Sequence, residues 1–182
     1  TWSITSPALA DGPHTVSVVA TDAANNTSAP VTATFNVDLT APSVALTAPA
    51  DDAVTQDTTP SIAGSASDTN GLAATTPVSV TVLDAQGAVA FTATPAVGND
   101  GLWSVDASVL ADGVYTVTAT ATDAAGNELT TAARTFTVDT AAPALTLVAP
   151  LEGALTNDNT PSISGTAEAG ATVTVSVDGA QI

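Results

Sequence analysis

An internal repeat with a period of 101 residues constrains this sequence more than any other feature. Trp103 stands 101 positions after Trp2, and Phe136 stands 101 positions after Phe35. The same offset relates two Asp-Gly pairs, two Asp-Ala-Ala triplets and two Pro-Ser-Ile triplets. A fixed period of this length is typical of a tandem array in which each repeat is one structural unit. The sequence therefore predicts repeated domains of about 100 residues.

The boundary between repeats is placed where an alternating segment ends in a proline, which cannot donate to a sheet ladder. Asp38 and Pro42 mark the first boundary, and Asp139 and Pro143 mark the second. We expect the C-terminal part of one repeat, a complete repeat and the N-terminal part of the next. These parts cover residues 1–38, 42–139 and 143–182.

Apolar and polar residues alternate through the complete repeat, and no helical period is present. The pattern predicts an all-β chain with seven strands in that repeat. They are expected over residues 43–47, 60–66, 78–83, 89–94, 102–106, 114–122 and 128–138. About 100 residues in seven short strands are typical of a Greek-key, immunoglobulin-like β-sandwich. We therefore predict tandem immunoglobulin-like sandwiches.

The core of this sandwich is expected to close on small aliphatic side chains around Trp103, because the chain has no cysteine. Trp2 occupies the same core-like position in the first copy. Tyr115 follows a tight turn at the start of a long strand, as in the tyrosine corner, whose phenol bonds back to the turn. His14 stands in the tyrosine position of the first copy, so we interpret it as a turn-bonding substitute and not as a catalytic histidine.

The charge of the chain argues against several classes of function. Eighteen acidic residues and one basic residue, Arg134, give a formal net charge of −17. So few positive charges cannot neutralise a nucleic-acid backbone, and an anionic membrane surface would repel the chain. No apolar run approaches the roughly 20 residues of a spanning helix. With no Lys or Cys and a single His, we expect no enzyme, no nucleic-acid partner and no membrane insertion.

Many acidic and amide side chains lie in the loops between predicted strands. In a β-sandwich these loops lie at the two ends, which we call its poles. Asp68 and Asn70 follow the second strand, Asp123 and Asn127 precede the seventh, and Asp38 lies in the linker. Calcium takes six to eight oxygen ligands from such side chains. We predict that these five residues form a calcium site at one pole.

Asp139 repeats the position of Asp38, and we expect it to serve a similar site at the next junction. No EF-hand or nonapeptide calcium spacing is present, so the site would be assembled from separate loops. Two other interpretations of the acidity stay open. The residues are turn formers on a solvated surface, or they are an adaptation to high salt.

Several motifs resemble those of bacterial Ig-like domains, over the whole length of the chain. They are Trp-Ser at 103–104, Leu-x-Asp-Gly-x-Tyr-Thr-Val at 110–117, Thr-Asp-Ala-Ala-Gly-Asn at 122–127, Val-Asp-Thr-x-x-Pro at 138–143 and Asp-x-Thr-Pro-Ser-Ile at 158–163. Such domains repeat many times in giant adhesins and biofilm-associated proteins of Gram-negative bacteria, which are exported by type I secretion. One departure is Asn25, which stands where the second copy has Gly126.

The resemblance implies an extracellular location, at the bacterial cell surface or in the biofilm matrix. It also implies a stalk whose modules are stiffened by calcium, with neighbouring repeats of the same chain or of other copies as partners. One alternative is a repeat unit of a polymerising matrix fibre. Another is a carbohydrate-binding accessory module of a secreted enzyme, which would need exposed aromatic side chains.

The two incomplete repeats are expected to leave apolar strand faces uncovered. The first supplies strands five to seven of a sandwich and the last supplies strands one to three, so that neither closes a core. The uncovered side chains are Val16, Val18 and Ala20 in the first part and Val173, Val175 and Val177 in the last. Such ends would be frayed or sticky, unless a neighbouring copy or the rest of a longer chain covers them.

Overall fold

A computed structural model describes residues 1–182, which form β-strands and no helix. The chain consists of two compact units, Thr1–Asp139 and Thr140–Ile182. No helical segment has the length and apolar character that a membrane crossing requires. The predicted all-β class is confirmed.

The first unit has eleven strands, of which the last nine form a sandwich. They are β1 (Gly12–Val18), β2 (Val31–Val37), β3 (Ser43–Ala48), β4 (Ala53–Thr55), β5 (Ser61–Ser67), β6 (Val78–Asp84), β7 (Val89–Ala93), β8 (Leu102–Asp106), β9 (Gly113–Thr122), β10 (Glu128–Thr130) and β11 (Arg134–Val138). One sheet has the order β3-β5-β8, and the other has the order β4-β11-β9-β6-β7, with β10 also paired to β9. All neighbours are antiparallel except β4 and β11, which run parallel. This arrangement is the expected immunoglobulin-like sandwich.

Two strands differ from the sequence prediction. The pattern does not predict β4, because three residues are too few to show an alternation. The strand predicted over 128–138 is divided into β10 and β11, because residues 131–133 leave the ladder. There Thr131 Oγ1 accepts a hydrogen bond from Ala119 N at 3.1 Å.

The core lies between the two sheets of the sandwich. Its largest fully buried aliphatic and aromatic side chains are Ile62, Val78, Val80, Val82, Val117, Phe136 and Val138. Trp103 is only 3 % exposed, as predicted. Its indole packs on the backbone of β5 at Gly64, where a Cβ atom would lie 2.4 Å from the ring. Glycine is therefore required beneath this tryptophan.

The tyrosine corner is confirmed, and its counterpart in the first copy is a histidine. The Tyr115 hydroxyl donates to the Ala111 carbonyl oxygen at 2.9 Å. His14 Nε2 lies 2.8 Å from the carbonyl oxygen of Ala10, which is the equivalent atom 101 positions earlier. The prediction that His14 bonds to the turn in place of tyrosine is thus confirmed.

The hairpin β1–β2 pairs Gly12 with Val37 and Val18 with Val31. It repeats the antiparallel contact of β9 with β11. The expectation that Trp2 takes a core-like position is wrong for this chain. Its side chain is 71 % exposed, because no strand corresponding to β5 lies against it.

The second unit consists of four short strands in two antiparallel pairs. They are β12 (Leu145–Ala149) with β13 (Ser164–Ala167), and β14 (Ser176–Val177) with β15 (Ala180–Gln181). The register of β12 on β13 shifts between Leu147 and Ala149. The same shift occurs between Leu46 and Ala48 in the sandwich, so the repeat preserves this irregularity.

Candidate cation site

Three segments of the first unit bring three carboxylates together at one pole of the sandwich. Asp38 follows β2, Asp68 follows β5 and Asp123 follows β9. One carboxylate oxygen of each lies within 4.8 Å of the others. Asp123 is buried, whereas Asp38 and Asp68 are half-buried. We call these three residues the carboxylate cluster.

Asp123 is held by the turn that it begins. Its Oδ1 atom accepts hydrogen bonds from the backbone N–H groups of Ala125, Gly126 and Asn127 at 2.7–2.9 Å. The Asn127 side chain donates to Oδ2 at 2.8 Å. Aspartate commonly bonds to backbone two or more residues later in such turns. The carboxylate is therefore fixed in position by its own loop.

These contacts decide the charge state of Asp123. Burial raises its pKa, but the hydrogen bonds from Asn127, Gly126 and Ala125 lower it by more. The pKa of Asp123 therefore lies below its ordinary value of 3.8. Hydrogen bonds to the charged form of a carboxyl favour that form. Asp123 is a carboxylate at neutral pH despite its burial.

Asp22 begins the equivalent loop of the first copy and has the same kind of contacts. Its Oδ1 accepts from the backbone N–H groups of Ala24 and Asn26, and Asn26 also donates to Oδ2. The hydrogen bond from the Asn26 side chain lowers the pKa of Asp22. No second or third carboxylate joins it in a cluster. The turn alone therefore does not create a cluster.

Two amide side chains connect the linker to the sandwich. Asn127 Nδ2 donates to the Asp38 carbonyl oxygen at 3.0 Å. Asn70 Nδ2 donates to Asp38 Oδ2 at 2.9 Å, and the backbone N–H of Asn70 donates to Asp68 Oδ1 at 2.7 Å. The structure thus places both predicted amides beside the carboxylate cluster.

Asn36 belongs to the same network and is not predicted by the sequence. Its side-chain amide donates to Asn70 Oδ1 at 3.2 Å. Thr137 stands 101 positions after Asn36, so the repeat carries no signal for an amide here. Only the pairing of β1 with β2, followed by the linker, brings Asn36 to this pole.

Asp139 lies outside the carboxylate cluster. Its backbone N–H donates to the Thr55 carbonyl oxygen at 2.9 Å, at the end of β11. The position 101 residues after Asp68 is Ala169, so the second copy of the repeat does not carry that carboxylate. The predicted role of Asp139 at a further junction stays a prediction.

No basic side chain balances the carboxylate cluster. Arg134 Nη1 donates to the Pro49 carbonyl oxygen, and His14 bonds to Ala10. The donor atoms around the cluster are hard oxygens, which suit calcium and magnesium and not softer metals. Two oxygens that share a calcium ion at 2.3–2.6 Å lie no more than about 5 Å apart. The 4.8 Å spacing of the cluster fits that limit.

Two protein-family profiles match the chain. A profile described as bacterial Ig-like domain matches residues 1–39 and 45–140, and one described as bacterial Ig-like domain (group 3) matches residues 101–182. No curated protein sequence matches the chain.

Two solved structures are similar to parts of it. CopC from Methylosinus trichosporium OB3b is 21 % identical, and the match covers 53 % of this chain and 94 % of CopC with a TM-score of 0.41. An engineered protein of the Northeast Structural Genomics Consortium is 29 % identical, and the match covers 54 % of this chain and 20 % of that protein with a TM-score of 0.43.

Proposed function

The chain belongs to the bacterial Ig-like domain family, and we propose that it is an extension module in the stalk of a bacterial surface adhesin, stiffened by calcium. Domains of this family are typically structural and non-enzymatic, and they are common in extracellular and surface proteins. The adhesin context and the calcium are our proposal.

The main support for this proposal is that the three clustered carboxylates come from different parts of the chain. Asp68 and Asp123 belong to loops of the sandwich, whereas Asp38 belongs to the linker that follows β2. A cation bound to all three would tie the preceding hairpin to the sandwich. Stiffness at this point is what a stalk needs, because bending of a rod of domains occurs at the linkers.

The electrostatics of the cluster favour a divalent cation. Three carboxylates within 4.8 Å repel one another, and no basic residue offsets them. Bound cations are often the largest local charge in such sites, and calcium accepts irregular oxygen geometry. In the proposed site Asp38, Asp68 and Asp123 supply charged ligands. Asn70 and Asn127 hold the linker in place and carry amide oxygens of the kind that calcium binds.

The short linker favours a rod-like arrangement of domains over a flexible one. Only residues 38–42 separate β2 from β3. Five residues span at most about 17 Å, which is less than the dimension of one sandwich. The domains before and after the linker are therefore close enough for one ion to contact both.

The placement of aromatic side chains favours this role over carbohydrate binding. Trp103, Tyr115 and Phe136 are buried in the core. The strongly exposed aromatics are Trp2 and Phe35, which belong to the incomplete first repeat. The complete sandwich therefore presents no large aromatic platform for a sugar.

Thermal unfolding of the full chain with calcium and with a chelator tests the proposal. Calcium should raise Tm, and calorimetry in low salt should detect its binding at millimolar or lower concentration. NaCl of equal ionic strength is the control, because general screening would stabilise a chain of net charge −17 without a specific site. If NaCl raises Tm as much as calcium does, the acidic residues of the chain are better explained by solvation or by adaptation to high salt.

A further inference from the structure

The complete sandwich hydrogen-bonds its first segments to its last one. β4 follows β3 near the start of the sandwich, and β11 is its last strand. β4 pairs only with β11, and this is the one parallel pair of the fold. The pairing joins Ala53 to Phe136 and Thr55 to Val138. The chain that enters the sandwich is therefore in direct contact with the chain that leaves it.

Further backbone hydrogen bonds extend this pairing at both of its ends. The Asp139 N–H donates to the Thr55 carbonyl oxygen at 2.9 Å, and the Asp52 N–H donates to the Thr135 carbonyl oxygen at 2.8 Å. The paired region is therefore longer than the three residues of β4. We call residues 49–55 and 134–139, taken together, the terminal contact.

Two neighbouring residues of β11 also hold the segment that precedes β4. The Arg134 Nη1 atom donates to the Pro49 carbonyl oxygen at 3.1 Å. Thr135 donates its backbone N–H to Asp51 Oδ1 at 2.8 Å and its hydroxyl to Asp52 Oδ1. Successive side chains of a strand point to opposite faces of the sheet. Arg134 and Thr135 therefore hold this segment on both faces.

The chain enters the sandwich at one pole and leaves it at the other. Ser43 begins β3 directly after the linker, at the pole of the carboxylate cluster. Val138 ends β11 and pairs with Gly113 at the start of β9, whose other end leads to Asp123 of that cluster. Tension along the chain therefore pulls β4 and β11 toward opposite poles.

The direction of the pull decides how the hydrogen bonds break. When two paired strands are pulled along their length in opposite directions, all the bonds between them lengthen together. When a hairpin is pulled apart from its open end, by contrast, the bonds break one after another. The bonds between β4 and β11 run across the strands. Tension along the chain therefore acts on them as a group, and the barrier to their rupture is high.

We propose that the terminal contact carries the tension that passes through this domain and that Asp51 and Arg134 strengthen it, an inference that rests on the stalk function proposed above. A stalk that holds a load needs such a contact, because forced unfolding is governed by the unfolding rate and not by the free energy of unfolding. No residue of the carboxylate cluster belongs to the terminal contact. Its resistance to force is therefore independent of calcium.

The side chains that strengthen the contact are particular to this repeat. Ala33 stands 101 positions before Arg134 and has no hydrogen-bonding side chain. Gly153 stands 101 positions after Asp52 and has no side chain at all. Ala33 lies within β2, so alanine is compatible with a strand at this place in the repeat. Arg134→Ala is thus a suitable variant for removing the hydrogen bond to Pro49.

Constant-force unfolding of single full-length chains, held at both termini in a chelator, tests the proposal. Unfolding of the sandwich is identified by a gain in length of about 300 Å, because its roughly 95 residues extend by about 3.4 Å each. Asp51→Ala loses the hydrogen bond from the Thr135 N–H and should unfold roughly ten times faster at the same force. An unchanged rate would overturn the proposal. The chelator separates this test from the effect of calcium on Tm, so either result can fail without the other.

Asp84→Ala is the matched control for Asp51→Ala. Asp84 Oδ1 accepts the backbone N–H groups of Gln86 and Ala88 at 2.9 and 2.8 Å, in the turn between β6 and β7. This turn lies outside the terminal contact. Both variants should lose stability in urea, but Asp84→Ala should unfold under force within about a factor of two of the natural chain. If both variants unfold equally fast under force, lost stability and not the terminal contact sets the rate, which contradicts the proposal.

Two more variants test the assigned side chains separately. Asp51→Asn keeps an oxygen that can accept the Thr135 N–H, so it should retain most of the resistance that Asp51→Ala loses. Arg134→Ala should unfold roughly ten times faster under force, since it loses the hydrogen bond to Pro49. Asp51→Asn unfolding as fast as Asp51→Ala, or Arg134→Ala unfolding at the natural rate, would contradict the role given to that side chain.

Discussion

Asn127 donates a hydrogen bond from its side-chain amide to the backbone carbonyl of Asp38, 89 residues earlier in the chain, at 3.0 Å. The same amide group donates to the Asp123 carboxylate at 2.8 Å. One side chain therefore joins the linker to the loop that holds the buried carboxylate. The linker is positioned by hydrogen bonds that need no ion, so Asp38 is held beside Asp123 by the protein alone.

Replacing Asp68 by Asn should remove most of the stabilisation that calcium provides. The variant keeps the shape of the side chain but removes one of three charges in the cluster. At a calcium concentration 100 times Kd, binding to the native state contributes about 2.7 kcal/mol to the free energy of unfolding. Urea unfolding with calcium and with a chelator measures this difference for each variant.

Asp100→Asn is the control for that substitution. Asp100, like Asp68, accepts a backbone N–H two residues later, from Leu102 at 3.1 Å. It lies outside the carboxylate cluster. Its variant should keep the full calcium effect, and an equal loss in both variants would rule out a site at the cluster.

Stability should fall in acid as Asp123 and Asp22 take up protons. The pKa of each is lower in the folded chain than its ordinary value of 3.8. A lowered folded pKa stabilises the native state above the unfolded pKa, and this stability is lost as pH falls through the folded pKa. The free energy of unfolding, measured in chelator from pH 6 down to about pH 2, should therefore decrease below about pH 4.

Asp123→Asn should have a shallower pH dependence than the natural chain in that range. The amide cannot titrate, and it can still accept hydrogen bonds from the loop. Asp57→Asn is a suitable comparison, since Asp57 accepts only from Thr59 at the other end of the sandwich. An unchanged acid slope in Asp123→Asn would show that this carboxyl does not contribute to the titration.

The sequence predicts the fold well because the local alternation of apolar and polar residues agrees with the 101-residue repeat. Strict alternation over 114–122 corresponds to β9, and the missing cysteine pair correctly indicates a core built around Trp103. The pattern does not predict a very short strand or an interrupted one: β4 has three residues, and residues 131–133 separate β10 from β11. These features depend on pairing partners distant in sequence, which alternation does not describe.

The candidate site is predictable only in part. Turn chemistry and sandwich topology place Asp68 and Asp123 at one pole, and the linker adds Asp38. Asn36 escapes prediction because nothing in its own strand distinguishes it from a surface asparagine. The sequence also does not predict that Trp2 is exposed. The position of Trp2 in the repeat indicates a core residue, but its burial depends on which strands cover it.

Tyr115→Phe should destabilise the sandwich by about 1 kcal/mol, the typical net value of one intramolecular hydrogen bond. The hydroxyl donates to the Ala111 carbonyl oxygen, and the ring stacks on Phe136 at 5.5 Å between centroids. The variant retains the stacking and loses only the hydrogen bond. Urea unfolding measured by Trp103 fluorescence gives the difference, and Tyr115→Leu, which also loses the stacking, should cost more. Equal stability of the natural chain and Tyr115→Phe would show that the corner is not a stabilising element.

The contrast between the complete and incomplete repeats predicts opposite results for one substitution at two equivalent positions. Phe136→Ala should lower the free energy of unfolding by about 3–5 kcal/mol, because Phe136 is 1 % exposed and its removal leaves a cavity between the sheets. Phe35→Ala should cost less, about 1–2 kcal/mol, because Phe35 is 45 % exposed. A loss of stability from Phe35→Ala as large as that from Phe136→Ala would contradict this contrast between the two positions.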